Sequence, residues 1–355
     1  MSVVDLDYDL LASYVGLLSL ATTSIYLGAH GSLPPPRNAD GTRSEEEEEM
    51  PERMSSSDAY LFPIIGSVTL VGMYLVVKYL GTAWINWLLG WYFSLAGVGA
   101  VCKSAISLAR WALGEARWKS FDLVEFTIRK GTTSNAPALV SLALRTPSLF
   151  LLPLATIPSG LYSLRARSIL LTDILALAFA HNALSLLKID SFQTGCILLT
   201  GLFFYDIWWV FGTEVMVKVA TNLDIPIKLM WTKNIWFGGE RGFTMLGLGD
   251  VVVPGIFIAL ALRYDYHRAG SPAYGQRFGK PYFYAGLVAY VLGLLTTMSV
   301  MHVFGKAQPA LLYLSPACIA SFGVTGVLKG DLGAAWAWSD EGLSENDNEE
   351  RPKTE

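Results

Sequence analysis

Three aspartates in this 355-residue chain stand inside apolar runs: Asp173, Asp206 and Asp250. An ionised carboxylate in hydrocarbon costs at least ~2.5–3.5 kcal/mol, so a chain that keeps one there needs a reason. Asp173 lies about one turn from the start of its run, where capping or an interhelical hydrogen bond accounts for it. Asp206 sits in Gly201-Leu-Phe-Phe-Tyr-Asp-Ile-Trp-Trp-Val-Phe211, some 16 Å along its span if helical. Asp250 closes Met245-Leu-Gly-Leu-Gly-Asp250 and precedes Val251–Leu262, roughly 10 Å from the opposite edge. On adjacent antiparallel helices the two acids meet at matching depth.

Two carboxyl groups that share a site cannot both ionise cheaply, so one keeps a proton while the other gives it up. Such a pair can deprotonate water as it attacks an amide and protonate the carbonyl oxygen, then reverse roles as the amine leaves. The titration belongs to the pair and assigns neither residue as acid or base. Water must reach it. Gly247 and Gly249 remove side chains just before Asp250, where a substrate backbone would approach. Gln308-Pro309-Ala310-Leu311 opens the last apolar run, as a helix-start proline or as an irregular stretch with backbone groups free for a ligand.

The elements that must position these residues are membrane helices. Hydrophobic residues make up 52% of the chain and charged ones 16%, too few to cover a water-facing surface, and the mean hydropathy is +0.41. Runs of about 20 apolar residues, the length that crosses a bilayer, predict spans over 9–28, 60–80, 84–109, 146–164, 168–188, 195–216, 243–262, 282–304 and 308–328. The fold class expected is all-α, a polytopic membrane protein of about nine transmembrane helices. Pro147, Pro153 and Pro158 make the fourth span the weakest, with an irregular or re-entrant segment as its competitor. The first lacks the basic n-region and the cleavage site of a signal peptide and is kept as a helix.

With the N-terminus outside, the inside segments hold 17 Lys and Arg against eight outside, which favours a cytosolic C-terminus. Segment 31–58, with its acidic block Glu45–Glu49, and the acidic tail 331–355 have the composition of solvated, flexible chain. Residues 1–167 are therefore expected to form an N-terminal group of helices 1–4 and residues 168–330 the catalytic core of helices 5–9. Cys102, Cys196 and Cys318 lie in apolar runs without a CxxC pair, so neither a disulfide framework nor a metal site is expected. No cofactor and no nucleic-acid partner is expected at a net charge of −4.

Tyr205-Asp206, Gly247-Leu248-Gly249-Asp250 and Pro309-Ala310-Leu311 resemble, in order and by span, the GxGD intramembrane aspartyl proteases, which comprise the presenilins and the signal peptide peptidases. The wider context is similar to the latter: Thr194-Gly-Cys-Ile-Leu-Leu, Asp250-Val-Val-Val-Pro-Gly-Ile-Phe-Ile-Ala-Leu260, Met301-His-Val-Phe and Ala307-Gln-Pro-Ala-Leu-Leu-Tyr-Leu314. The resemblance is strong over about 170–330 and vague before it. It implies Asp206 and Asp250 as the catalytic pair, supported by Tyr205, Gly247, Leu248 and Gly249, with Gln308–Leu311 shaping the site and binding substrate. It implies type II membrane helices and signal-peptide remnants as substrates, and the endoplasmic reticulum membrane with a lumenal N-terminus. A homo-oligomer or recruiting membrane partners would be compatible with it.

The rival reading is a proton-coupled transporter or channel, because deep carboxylates also mark ion pathways. No internal repeat supports it. A catalytically silent scaffold would be expected to lack Asp206 or Asp250. His30, His181, His267 and His302 include no HExxH pair, and no Gly-x-Ser-x-Gly elbow occurs.

Overall fold

A computed structural model of the chain describes residues 8–34, 53–114, 117–118, 120–129, 138–164, 168–223, 225–232, 242–272, 276–305 and 308–340. Among them the chain is a helical bundle. The long helices are α1 (Tyr8–Gly31), α2 (Ser56–Leu80), α3 (Thr82–Leu113), α4 (Thr146–Ser163), α5 (Ile169–Leu186) and α6 (Phe192–Phe211). A short α7 (Val215–Asn222) follows, then α8 (Gly249–Arg268), α9 (Pro281–Phe304), α10 (Leu311–Lys329) and a one-turn α11 (Leu332–Ala337). Among the described residues seven helices are long and apolar enough to cross a membrane: α1, α2, α3, α5, α6, α9 and α10. The predicted spans 146–164 and 243–262 fall on α4 and α8, which are not among the seven. Where prolines made the fourth span doubtful, α4 runs on as a helix through Pro153 and Pro158, with Pro147 in its first turn. Glu45–Glu49 and the end of the tail lie outside the described residues.

The helices close around α8. From Val251 to Asp265 it is buried at nearly every position, which is why Val251–Leu262 is apolar all round rather than on one stripe. Helices α1, α5, α6, α9 and α10 pack against it. Close approach needs small residues: a Cβ on Gly28 of α1 or Gly255 of α8 would come within 2.6 Å of Leu184 on α5. Phe192, at the start of α6, stacks on Phe322 of α10 with ring centroids 4.1 Å apart.

Three small two-stranded pieces join the helices, and none was expected of an all-α chain. β1 (Arg53–Met54) pairs in parallel with β4 (Lys188–Ile189). β2 (Leu123–Arg129) and β3 (Ala138–Arg145) pair antiparallel in the segment between the third and fourth predicted spans. β5 (Lys228–Thr232) pairs antiparallel with β6 (Phe243–Gly247), in register from Lys228 opposite Gly247 to Thr232 opposite Phe243. The predicted span over 243–262 thus divides into a strand and a helix that starts six residues late.

The tail, expected to be flexible from 331, is folded over 331–340. Arg263, 2% exposed on α8, donates from Nε to Asp340 Oδ2 at 3.0 Å and from a terminal nitrogen to the Ile189 carbonyl at 3.0 Å. The Asp340 N–H donates to the Asp190 carbonyl at 2.8 Å. The sequence runs straight from an apolar helix into an acidic tail, but a guanidinium enclosed by protein needs a carboxylate, and Asp340 supplies it. Removing one partner of a buried pair leaves the other uncompensated, at about 3–5 kcal/mol. Asp340→Ala should therefore lower the melting temperature of the detergent-solubilised protein sharply, and Arg263→Met/Asp340→Leu should recover most of the loss. An unchanged melting temperature for the single variant would show that the pair does not hold the tail.

Candidate active site

Asp206 is the fifteenth residue of α6, 3% exposed, on the face that packs toward α8 and α10. Its Oδ2 accepts a hydrogen bond from the main-chain N–H of Leu311 at 3.0 Å. Leu311 is the first residue of α10, where helix N–H groups have no partner within the helix. Pro309 and Ala310 are buried just before it and bring this free N–H to the acid. A segment expected to bind substrate thus also holds one carboxylate by its backbone. Gln308, half-buried, precedes it.

Asp250 is the second residue of α8. The route to it is β6, and an extended strand covers roughly 3.3 Å per residue against 1.5 Å in a helix. Five strand residues carry the chain about as far as eleven helical ones would. The pair of strands is fastened at mid-strand and at the end next to Asp250. The Met230 N–H donates to Asp173 Oδ1 at 2.7 Å, a structural role for Asp173 that is neither the cap nor the interhelical bond expected but a tie to a strand, and the Leu248 N–H donates to the Ile227 carbonyl at 2.9 Å. Burial alternates along β6: Thr244 and Leu246 face the protein, while Phe243, Met245, Gly247 and then Gly249 are exposed. This open row ends at Asp250, which is half-buried. The residue stands at the edge of the protein while its carboxyl is enclosed, beside a strand whose outer face is open.

The two acids lie within electrostatic reach of each other. Asp206, Asp250, the Gly247–Gly249 turn and the Pro309–Leu311 segment therefore come to one place. Gly247 touches the site directly, since a Cβ there would stand 3.3 Å from Asp250 Oδ2, whereas a Cβ on Gly249 would meet open space. Tyr205 is placed differently from the glycines. Its ring packs beside Gly66 of α2 and lies 6.3 Å from that of Trp209, so it braces α6 against α2 within electrostatic reach of Asp206. Among the described residues no group of three or more His, Cys, Asp and Glu is arranged to hold a metal ion.

The signal peptide peptidase family model matches residues 45–342. The chain belongs to that family. It is 38% identical to the signal peptide peptidase of Mus musculus over 92% of this chain and 83% of the relative, and 39% identical to that of Homo sapiens over 90% and 81%. A probable intramembrane protease of Schizosaccharomyces pombe is 35% identical over 95% of this chain and 98% of its own length. Family membership makes the chain a multi-pass membrane protein and an intramembrane protease.

Two features of the site were not read from the sequence: the hairpin before Asp250 and the backbone bond to Asp206. Phe243-Thr-Met-Leu-Gly247 carries no apolar/polar alternation, because the exposed Phe243 and Met245 are as apolar as the buried Leu246, and the run reads equally well as the start of a helix. A main-chain donor carries no side-chain signature at all. The contact at Gly247 gives a direct test. Gly247→Ala should push the Asp250 carboxyl aside and cut turnover by about tenfold or more, while the melting temperature stays within ~2 °C of wild type. Full activity in that variant would mean the carboxyl position is not critical.

Proposed function

We propose that this protein is an aspartic endopeptidase that hydrolyses peptide bonds inside transmembrane helices, with Asp206 and Asp250 as its catalytic pair. The observation that carries the reading is that the two carboxyl groups lie within electrostatic reach of each other, one held by a main-chain donor and the other at the end of a strand with an exposed face. Like charges this close, away from bulk water, are relieved by retaining one proton between them. The ionised member takes a proton from water as the water oxygen bonds to the substrate carbonyl carbon. The protonated member passes its proton to the carbonyl oxygen. In the second step the carbon–nitrogen bond breaks, the amine leaves with a proton from one acid, and the other acid takes a proton back from a gem-diol hydroxyl as the carboxylic acid product forms. Both acids return to their starting state.

A helical peptide bond is shielded by its own turn, so the substrate must unwind before water can attack. The exposed row from Phe243 to Gly249, without side chains at 247 and 249, leaves room for an extended backbone beside Asp250. Substrate spans containing Gly, Pro, Ser or Asn near the cleavage point unwind at lower cost than a run of Leu. The substrate class we assign is type II membrane helices and signal-peptide remnants, in the endoplasmic reticulum membrane, with the N-terminus lumenal and the C-terminus cytosolic. The Lys and Arg asymmetry supports that orientation. Under it α4 and α8 also cross, giving nine spans.

The experiment is cleavage of a labelled type II transmembrane peptide by detergent-purified protein. Asp206→Asn and Asp250→Asn should each abolish cleavage while leaving the melting temperature near that of wild type, since an amide cannot exchange the proton. A peptide with a Gly-Pro pair near the cut should be processed faster than its poly-Leu counterpart. Cleavage near the wild-type rate in either Asn variant would end the dyad account, and proton-coupled peptide movement without cleavage would favour a carrier.

A further inference from the structure

The opposite end of α8 from Asp250 opens on a second feature. Where the C-terminus of α8, the N-terminus of α9 and the C-terminus of α10 meet, a surface cavity of about 670 Å³ is lined by Asp265, Arg268, Lys280, Tyr284 and Lys329, among others. Three cations and one acid face it, and Asp331 stands beside it. Both acids are already engaged. Asp265, 1% exposed, accepts from the N–H groups of Tyr282 at 3.3 Å and Phe283 at 2.9 Å, the first turn of α9. Asp331 pairs with Arg268 Nε at 2.8 Å and accepts from the Tyr282 hydroxyl.

The two lysines are different. Lys280 has only neutral neighbours at contact: His30 Nε2 at 2.8 Å and the Phe278 ring, whose centroid lies 4.9 Å from Nζ. Partial burial pulls its pKa below the ordinary lysine value, against the opposing pull of Asp265. Lys329 is exposed at the end of α10, and among the described residues neither lysine has a carboxylate partner. The cavity is therefore an open basic site whose two lysines form no ion pair among the described residues, with far more room than a single phosphate fills.

An apolar lane leads away from it. Tyr284 at the rim begins a row on α9 that continues through Val288, Leu292 and Leu295, all exposed and spaced to lie on one helix face. Beside it α10 exposes Val324, Val327 and Leu328 just before Lys329. A free anion would use the cavity and leave the lane unused, whereas a lipid would use both.

We propose that this cavity binds the headgroup of an anionic phospholipid through Arg268, Lys280 and Lys329, with the acyl chains running along the exposed faces of α9 and α10. The Lys and Arg asymmetry assigns this end to the cytosol, where the leaflet is rich in anionic lipid and basic pockets between helices collect such headgroups. The assignment uses that orientation but not the dyad chemistry. A bound headgroup would link α8, which starts at the Asp250 end, to α10, which starts at Leu311.

The test uses the full chain in an uncharged detergent and three probes: dioctanoyl phosphatidylinositol 4-phosphate, dioctanoyl phosphatidylcholine and inositol 1,4-bisphosphate. The inositide should bind at least tenfold more tightly than the choline lipid and than the free headgroup. At about 1 kcal/mol per surface lysine, Lys280→Gln/Lys329→Gln should weaken the inositide on the order of thirtyfold, with choline-lipid binding unchanged. Lys329→Gln alone, at an exposed helix end away from His30, should weaken it about fivefold at an unaltered melting temperature. Unchanged inositide affinity in the double variant would overturn the proposal. So would equal affinity for the choline lipid, or equal affinity for inositol 1,4-bisphosphate, which would make this a soluble-anion site.

Discussion

A carboxyl pair away from bulk water must satisfy two opposed demands. The groups have to be enclosed enough to feel each other, and open enough for water to join them. The two acids have unlike supports. Asp206 is buried in the middle of a helix and fixed by one main-chain donor, the N–H of Leu311, which the start of α10 leaves free. Asp250 stands at the first turn of α8, where the positive end of the helix dipole favours a carboxylate. A mid-helix acid could not be exposed without breaking the bundle. An acid at a helix start can be, because the chain before it is a strand with one open face.

Most of the remaining architecture holds these two supports in place. α8 could not stay buried from Val251 to Asp265 unless α1 and α5 came close, and Gly28 and Gly255 allow that at Leu184. The hairpin that delivers Asp250 is fastened to α5 through Asp173 and Met230. The far end of α8 is tied to the folded tail through Arg263 and Asp340. Backbone polar groups in an apolar medium must be paired or must line a wet cavity. The β5–β6 ladder pairs its inner edge, and the Leu248–Ile227 bond extends the pairing into the glycine turn.

Much of this was legible from residues alone. Asp206 and Asp250 were exceptional because a carboxylate in an apolar run is costly whatever the fold, and the spans followed from length and composition. Helix starts were less sharp. The apolar run from Phe243 to Leu262 hides a change from strand to helix, since hydropathy measures burial and not backbone conformation. Pro153 and Pro158 suggested a broken element, yet α4 is continuous, packed against its neighbouring helices. The folded tail was missed because a lone acidic residue at 340 shows its value only once Arg263 is seen to be buried. The bond from Leu311 to Asp206 depends on a backbone atom, which every residue there would offer.

The central claim is that Asp206 and Asp250 are neighbours that water can reach. Cross-linking at those two positions tests it most directly. In a chain whose Cys102, Cys196 and Cys318 are replaced by alanine, Asp206→Cys and Asp250→Cys would be introduced together and treated with a short, water-soluble bifunctional thiol reagent. The account expects a single intramolecular link joining the peptides that contain positions 206 and 250, identified by mass. Two separately modified cysteines with no link, or two thiols that the reagent never reaches, would contradict it.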